Sequence, residues 1–166
     1  MSYAYQPVTF SKVMLTLDGS GVSRQAAPQA VAIANRFGGR LILYSVIHNP
    51  HSVVSHLPLP STDVDALGAG IDRRLHAEAE RIETVLRSLV EELGMPPARV
   101  DVVVEAHTDA AESITAYAAD NEVDLIVMAT HGRSGLGRTL RGSVAESVLR
   151  QAHCPVMLIR ATEVKM

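Results

Sequence analysis

The chain has 166 residues, 47% of them hydrophobic, and a formal net charge of −3. That length suits one hydrophobic core and leaves little room for two, and a charge so near balance excludes broad electrostatic binding to nucleic acid or acidic membranes. With no tryptophan and 4% aromatic residues, the core has to come from Val, Leu, Ile and Ala, the composition of a parallel sheet covered by helices.

Met1 to Ser11 lacks the basic start and apolar run of a signal peptide. No stretch reads as a bilayer span, and the single cysteine, Cys154, has no internal partner. The expected location is the cytoplasm. Val13 to Leu17 is a short apolar run closed by Asp18-Gly19-Ser20, which predicts a buried strand. Ser20 or Ser23 is a candidate cap for a helix running to about Phe37, with Ala27, Val31, Ala34 and Phe37 at helical spacing and Gly38-Gly39 at its end. Leu41 to Ile47 is the second strand. His48 to about Asp65, with Pro50, Pro58 and Pro60, reads as a long loop. Its histidines, His48, His51 and His56, do not have zinc-site spacing.

A long amphipathic helix follows, with Ile71, Leu75, Ile82, Leu86, Leu89 and Leu93 on one stripe, stopped at Gly94 and kept stopped by Pro96-Pro97. Val100 to Glu105 is the third strand. Ala110 to Asn121 is a helix with Thr108 or Asp109 as its cap. Asp124 to Ala129 is the fourth strand, Ser143 to about Ala152 a helix, and Val156 to Ile159 the fifth strand. There is no repeat and no linker, so residues 1–166 read as one domain, with a core of about 10–160. Repeated strand–helix units imply an open parallel sheet with right-handed crossovers and helices on both faces. Ligands of such sheets sit at the carboxyl ends of the strands. Asp18 and the glycine-rich segment after the fourth strand both lie at such ends.

That segment carries glycines at 132, 135, 137 and 142, with Arg133, Arg138 and Arg141 among them. Gly142-Ser143 stands where a helix begins, and the free N–H groups there favour an anion. Common signatures fail. A P-loop would need a lysine between Gly142 and Ser143, and a G-x-G-x-x-G would need glycine at Leu140. A nucleophile elbow would need glycine at Leu136. His131 has no serine elbow or carboxylate pair beside it, so a loop or phosphate contact is its expected role. Cys154 is expected to pack as a small apolar group, and His153 to favour the end of the preceding helix.

Three segments together resemble the universal stress protein family: Val13 to Ser20; Ala129-Thr130-His131-Gly132-Arg133-Ser134-Gly135 with Gly142-Ser143-Val144-Ala145-Glu146; and His153-Cys154-Pro155-Val156. ATP-binding members carry Gly-x2-Gly-x9-Gly-Ser/Thr, which falls here on Ala129, Gly132, Gly142 and Ser143, so the first motif glycine is replaced by Ala129. The resemblance implies a Rossmann-like sheet of order 3-2-1-4-5, which makes the first and fourth strands neighbours. It also implies an ATP site at Thr16, Asp18, Val46, Ala129, Gly132, Arg133, Gly142, Ser143 and Val144. Asp18 would face the nucleoside, the Val46 backbone the adenine edge, Ala129 and Gly132 the ribose and phosphate path, and Gly142, Ser143 and Val144 the phosphates. Mg2+ would be held through the phosphates. A homodimer through the last strand, Pro155 to Arg160, is implied as well, and that strand would otherwise be a bare apolar edge. The expected function is a nucleotide-dependent sensor or adaptor in the stress response, not an enzyme, with at most slow ATP hydrolysis. Two alternatives stay open: a dimeric interaction module without nucleotide, and a slow ATPase or adenylating enzyme.

Overall fold

The computed structural model describes residues 8–50, 60–131 and 143–161. Five strands form one sheet: β1 (Lys12–Thr16), β2 (Arg40–His48), β3 (Val100–His107), β4 (Leu125–His131) and β5 (Val156–Ala161). Their order is β3-β2-β1-β4-β5 and every pairing is parallel. Among the described residues four α-helices connect them: α1 (Ala27–Phe37), α2 (Ser61–Glu92), α3 (Ala110–Asp120) and α4 (Ser143–Gln151). The order implied by the resemblance is therefore the observed one. β1 lies in the middle, and the run Val13 to Leu17 is buried throughout, as a strand covered on both faces requires.

The sheet divides the core into two layers. Val13, Leu15, Leu41 and Leu43 point to one face and pack with the alanines of α1 (Ala27, Ala30, Ala34) and with Leu86, Leu89 and Val90 of α2. Met14, Ile42, Tyr44 and Ile126 point to the other and pack with Ala111, Ile114 and Ala118 of α3 and Val148 of α4. The period-2 alternation of strand side chains does this sorting. Small residues on α1 let its axis lie close to β1.

Element boundaries differ from the sequence reading where proline and glycine decide them. The helix expected from Ser20 or Ser23 starts as a 3-10 turn, Ser23–Ala26, and becomes α-helical only at Ala27. Pro28, in the first turn of α1, has no N–H for a bond to Arg24, so the two segments cannot merge into one regular helix. Ser20 Oγ accepts the Ser23 N–H at 3.1 Å. Gly38 ends α1 at φ 66°, and the Gly39 N–H reaches back to the Ala34 carbonyl at 2.8 Å. Gly39 is required for a second reason: a β-carbon there would lie 2.4 Å from the Phe10 carbonyl oxygen.

The expected loop to about Asp65 ends sooner, because α2 begins at Ser61 directly after Pro60. Pro60 holds extended dihedrals (φ −55°, ψ 146°), and its carbonyl accepts the N–H groups of Asp63 and Val64. Of the two caps considered for α3, Asp109 is the one used: its Oδ1 accepts from Ala111 and Glu112 at 2.8 and 3.0 Å. Asp124 ties the amino ends of β1 and β4 together by accepting the N–H groups of Ser11 and Lys12. Among the described residues no helix is long and apolar enough to cross a membrane.

Candidate functional site

At the carboxyl edge β1 and β4 separate, while β1 stays bound to β2 through Leu17. The β1–β4 ladder is recorded from Val13–Leu125 to Leu15–Val127, whereas β4 stays paired with β5 as far as His131. The crossovers leave in opposite directions from β1 and β4, which makes the crevice between them the switch point of the sheet. On the other side, β2 and β3 stay in register to their last residues, with Val46 opposite Glu105 and His48 opposite His107.

The residues proposed from sequence do not all meet in one place. Thr16 is buried at the end of β1 and alternates onto the Met14 face, which α3 and α4 cover. Asp18 follows as an exposed turn residue. Its Oδ1 accepts the Ser20 N–H at 2.9 Å, and its own N–H donates to Ser23 Oγ at 3.4 Å. Partial burial pushes the Asp18 carboxyl up, but hydrogen bonds from Ser20 and Ser23 outweigh it and hold the group below its ordinary value. Val46 and Val144 come together: both line a cleft of about 340 Å³ between the end of β2, the turn into α3 and the first turn of α4. Ala129 stands apart from them. Its methyl packs into the α1/α2 layer, on the far side of the sheet from Val46. Gly132, Arg133 and Gly142 lie outside the described residues. Ser143 is the first residue of α4, whose opening N–H groups have no partner within the helix.

The cleft also contains residues to which the sequence reading gave no ligand role: His107, Ala110, Ala111, Ser147 and Thr108, the last considered only as a helix cap. Asp109, read only as a helix cap, is on its rim, as is His48 of the supposed loop. Beneath it lies a polar cluster that was also missed. Tyr44, fully buried, donates its hydroxyl proton to Glu105 Oε2 at 2.6 Å and sits 2.7 Å from Ser113 Oγ. Ser113 in turn donates to the same carboxylate oxygen at 3.1 Å. Burial, then the bond to Glu105, pushes the Tyr44 phenol well above its ordinary range. The contact that ties these residues spans 61 positions of sequence, so no local pattern announces it.

No three His, Cys, Asp or Glu side chains among the described residues are grouped to hold a metal ion. Lys12, at the amino end of β1, is bound to the Asn121 carbonyl and pairs with Glu122, so it stands at the edge opposite the cleft. Cys154 packs against the α3/α4 layer, and burial raises its thiol.

The sequence from residue 9 to residue 160 matches the profile of the Universal stress protein family. The chain belongs to this family. Among characterised relatives, this universal stress protein is 32% identical to universal stress protein MJ0531 of Methanocaldococcus jannaschii over 156 residues, covering 91% of this chain and 82% of the relative. It is 33% identical over 151 residues to a universal stress protein of Thermus aquaticus, covering 91% and 99% respectively. Solved structures share its fold. Universal stress protein UspA from Lactobacillus plantarum superposes with a TM-score of 0.73 at 24% identity, over 93% of this chain and all of the other. A universal stress protein in complex with cAMP has a TM-score of 0.59 at 18% identity (93% and 100% covered). One from Archaeoglobus fulgidus in complex with dAMP has 0.58 at 16% (92% and 100%).

Proposed function

We propose that this universal stress protein binds an adenine nucleotide, ATP in the first instance, at the carboxyl edge of its sheet and acts as a nucleotide-dependent sensor or adaptor in the stress response. The observation that carries the reading is the meeting of Val46 and Val144 in one cleft: the residue implied at the adenine edge and one implied at the phosphates, 98 positions apart by number (144 − 46), share a wall. Relatives of the same fold solved with cAMP and dAMP support the ligand class. Mg2+ would enter with the phosphates. Its contribution would be to screen phosphate charge.

The reading assigns no turnover. Lys12 is held at the opposite edge, so among the described residues no lysine is placed to neutralise a departing phosphate. Binding therefore acts by shifting the protein between states with different partners. The exposed edge strand β5, with Leu158 38% exposed, supports a homodimer formed through Pro155 to Arg160, and the cytoplasm is the proposed location.

Native mass spectrometry of the purified protein, followed by calorimetry with ATP, tests the reading. Co-purifying or titratable ATP is the expected result, with binding abolished in Gly142→Val and the fold retained. Absence of any nucleotide complex after saturation with ATP and Mg2+ would overturn it in favour of a nucleotide-free interaction module.

A further inference from the structure

We infer that His48 and His107 are the residues by which the cleft discriminates one nucleobase from another. The inference rests on the nucleotide-binding reading and extends it to two residues that the family motif does not include. In the parallel β2–β3 ladder, Tyr44 is paired with Val103, Val46 with Glu105 and His48 with His107. Register partners in a parallel pair point to the same face, and Tyr44 and Val103 fix that face as the one packed by α3 and α4. The row therefore runs from buried Tyr44 and partly buried Val103, through Val46 beside a carboxylate, to two imidazoles at the rim. Strands are about 4.8 Å apart, so the two rings stand side by side at the mouth of the cleft they both line.

The lower polar groups of this row are already engaged, and the upper ones only in part. The Glu105 carboxylate is taken by Tyr44 and Ser113. Asp109 spends its carboxylate on capping α3. His107 Nδ1 lies 3.1 Å from the Asp109 N–H and 2.9 Å from the Asp109 carbonyl oxygen. In either tautomer the Asp109 backbone occupies Nδ1, fixes the ring and leaves Nε2 over. His48 is exposed at the rim.

What remains is a cleft of mixed lining, with Val46, Ala110 and Ala111 on one part of its wall, Thr108, Asp109 and Ser147 on the rest, and imidazole nitrogens at one end. Its volume of about 340 Å³ is at the lower end of ligand pockets, which run roughly 300–1,000 Å³. A flat heterocycle with alternating donors and acceptors on its edge matches this arrangement. Adenine offers an amino donor beside ring-nitrogen acceptors, so an imidazole nitrogen finds a partner whether it donates or accepts. Guanine and uracil present the reverse, a carbonyl acceptor beside an N–H donor, whereas cytosine repeats adenine's order on a smaller ring.

The test titrates the full-length protein with adenosine, ATP, CTP, GTP and inorganic tripolyphosphate by calorimetry, for the wild type, His48→Ala, His107→Ala and His107→Gln. Imidazole resonances are followed by NMR in parallel. Losing one edge hydrogen bond should cut the preference for ATP over GTP by about tenfold in His107→Ala. Tripolyphosphate affinity should stay unchanged, and His107→Gln, which restores a polar edge, should recover part of the preference. Adenosine should shift both imidazole signals in the wild type. A wild type that binds tripolyphosphate but not adenosine, or variants whose base preference is unaltered, would overturn the inference and leave the nucleotide reading standing. A wild type that binds none of these ligands would overturn both.

Discussion

Tyr44→Phe is the substitution that isolates the buried polar cluster beneath the cleft. The ring is fully buried and stays so as phenylalanine; what is lost is one hydroxyl. Two hydroxyl protons, those of Tyr44 and Ser113, serve a single carboxylate oxygen of Glu105 at 2.6 and 3.1 Å. Removing the shorter bond leaves Glu105 half-buried with one donor and leaves Ser113 Oγ without its 2.7 Å neighbour. A hydrogen bond to a charged group contributes about 1.5–3 kcal/mol. For a chain of this length each kcal/mol moves the melting temperature by about 2–4 °C, so a fall of about 3–12 °C is expected by calorimetry at pH 7. The dependence on pH adds an independent signature. The Tyr44 phenol is raised in the folded protein, so the folded state holds the proton more tightly than the unfolded chain. The stability this confers is present below the ordinary phenol pKa of about 10 and declines as pH rises beyond it. The gap between wild type and Tyr44→Phe should therefore narrow above pH 10. Equal melting temperatures at pH 7, or a gap that widens at alkaline pH, would refute the assignment of the cluster.

Gly39→Ala forces a β-carbon to within 2.4 Å of the Phe10 carbonyl oxygen and 2.9 Å of that of Ser11. Overpacking of this kind costs about 1–3 kcal/mol, and urea unfolding should register it as a lower midpoint with an unchanged slope. Leu158→Asp places a charge on the exposed face of the edge strand. It should shift the proposed homodimer to monomer in sedimentation velocity while its melting temperature stays nearly constant. Asp18→Ala removes a carboxylate whose folded pKa is depressed. Its contribution is present above the unfolded value of about 3.9 and fades as pH falls through the folded one, so mutant and wild type should converge in thermal melts as the pH is lowered through the acid range. The difference at neutral pH should be below about 1 kcal/mol because the group is solvent-exposed.

Much of the architecture could be read from residues alone. Uninterrupted apolar runs marked the strands, and Gly38-Gly39, Gly94 and Pro96 marked the ends of helices, because these signals are local. Strand order was not local; it came from the likeness of the Asp18 and Gly142-Ser143 segments to known relatives. The cleft was only half legible. Val46 and Val144 were found through that likeness, but His107 sits after a strand whose own periodicity gives no hint of what lies beside it. His48 was read as the first residue of a loop, though the β2–β3 ladder extends far enough to place it opposite His107. The Tyr44 hydroxyl was hidden for the same reason: its partners belong to β3 and α3, and an aromatic residue inside an apolar strand reads as plain core. The direction of Ala129 was available from alternation, since Met128 precedes it on the opposite face.

The two-layer core has an evolutionary corollary. Because the sheet keeps the packing of α1 and α2 apart from that of α3 and α4, changes on the two sides should combine almost independently. A lineage is then free to redraw the α3/α4 side, where Tyr44, His48, His107 and Val144 gather, while the opposite side carries the stability reserve that such experiments consume. Divergence in ligand preference among descendants of this scaffold should accordingly be lopsided, concentrated on one flank of an otherwise conservative sheet.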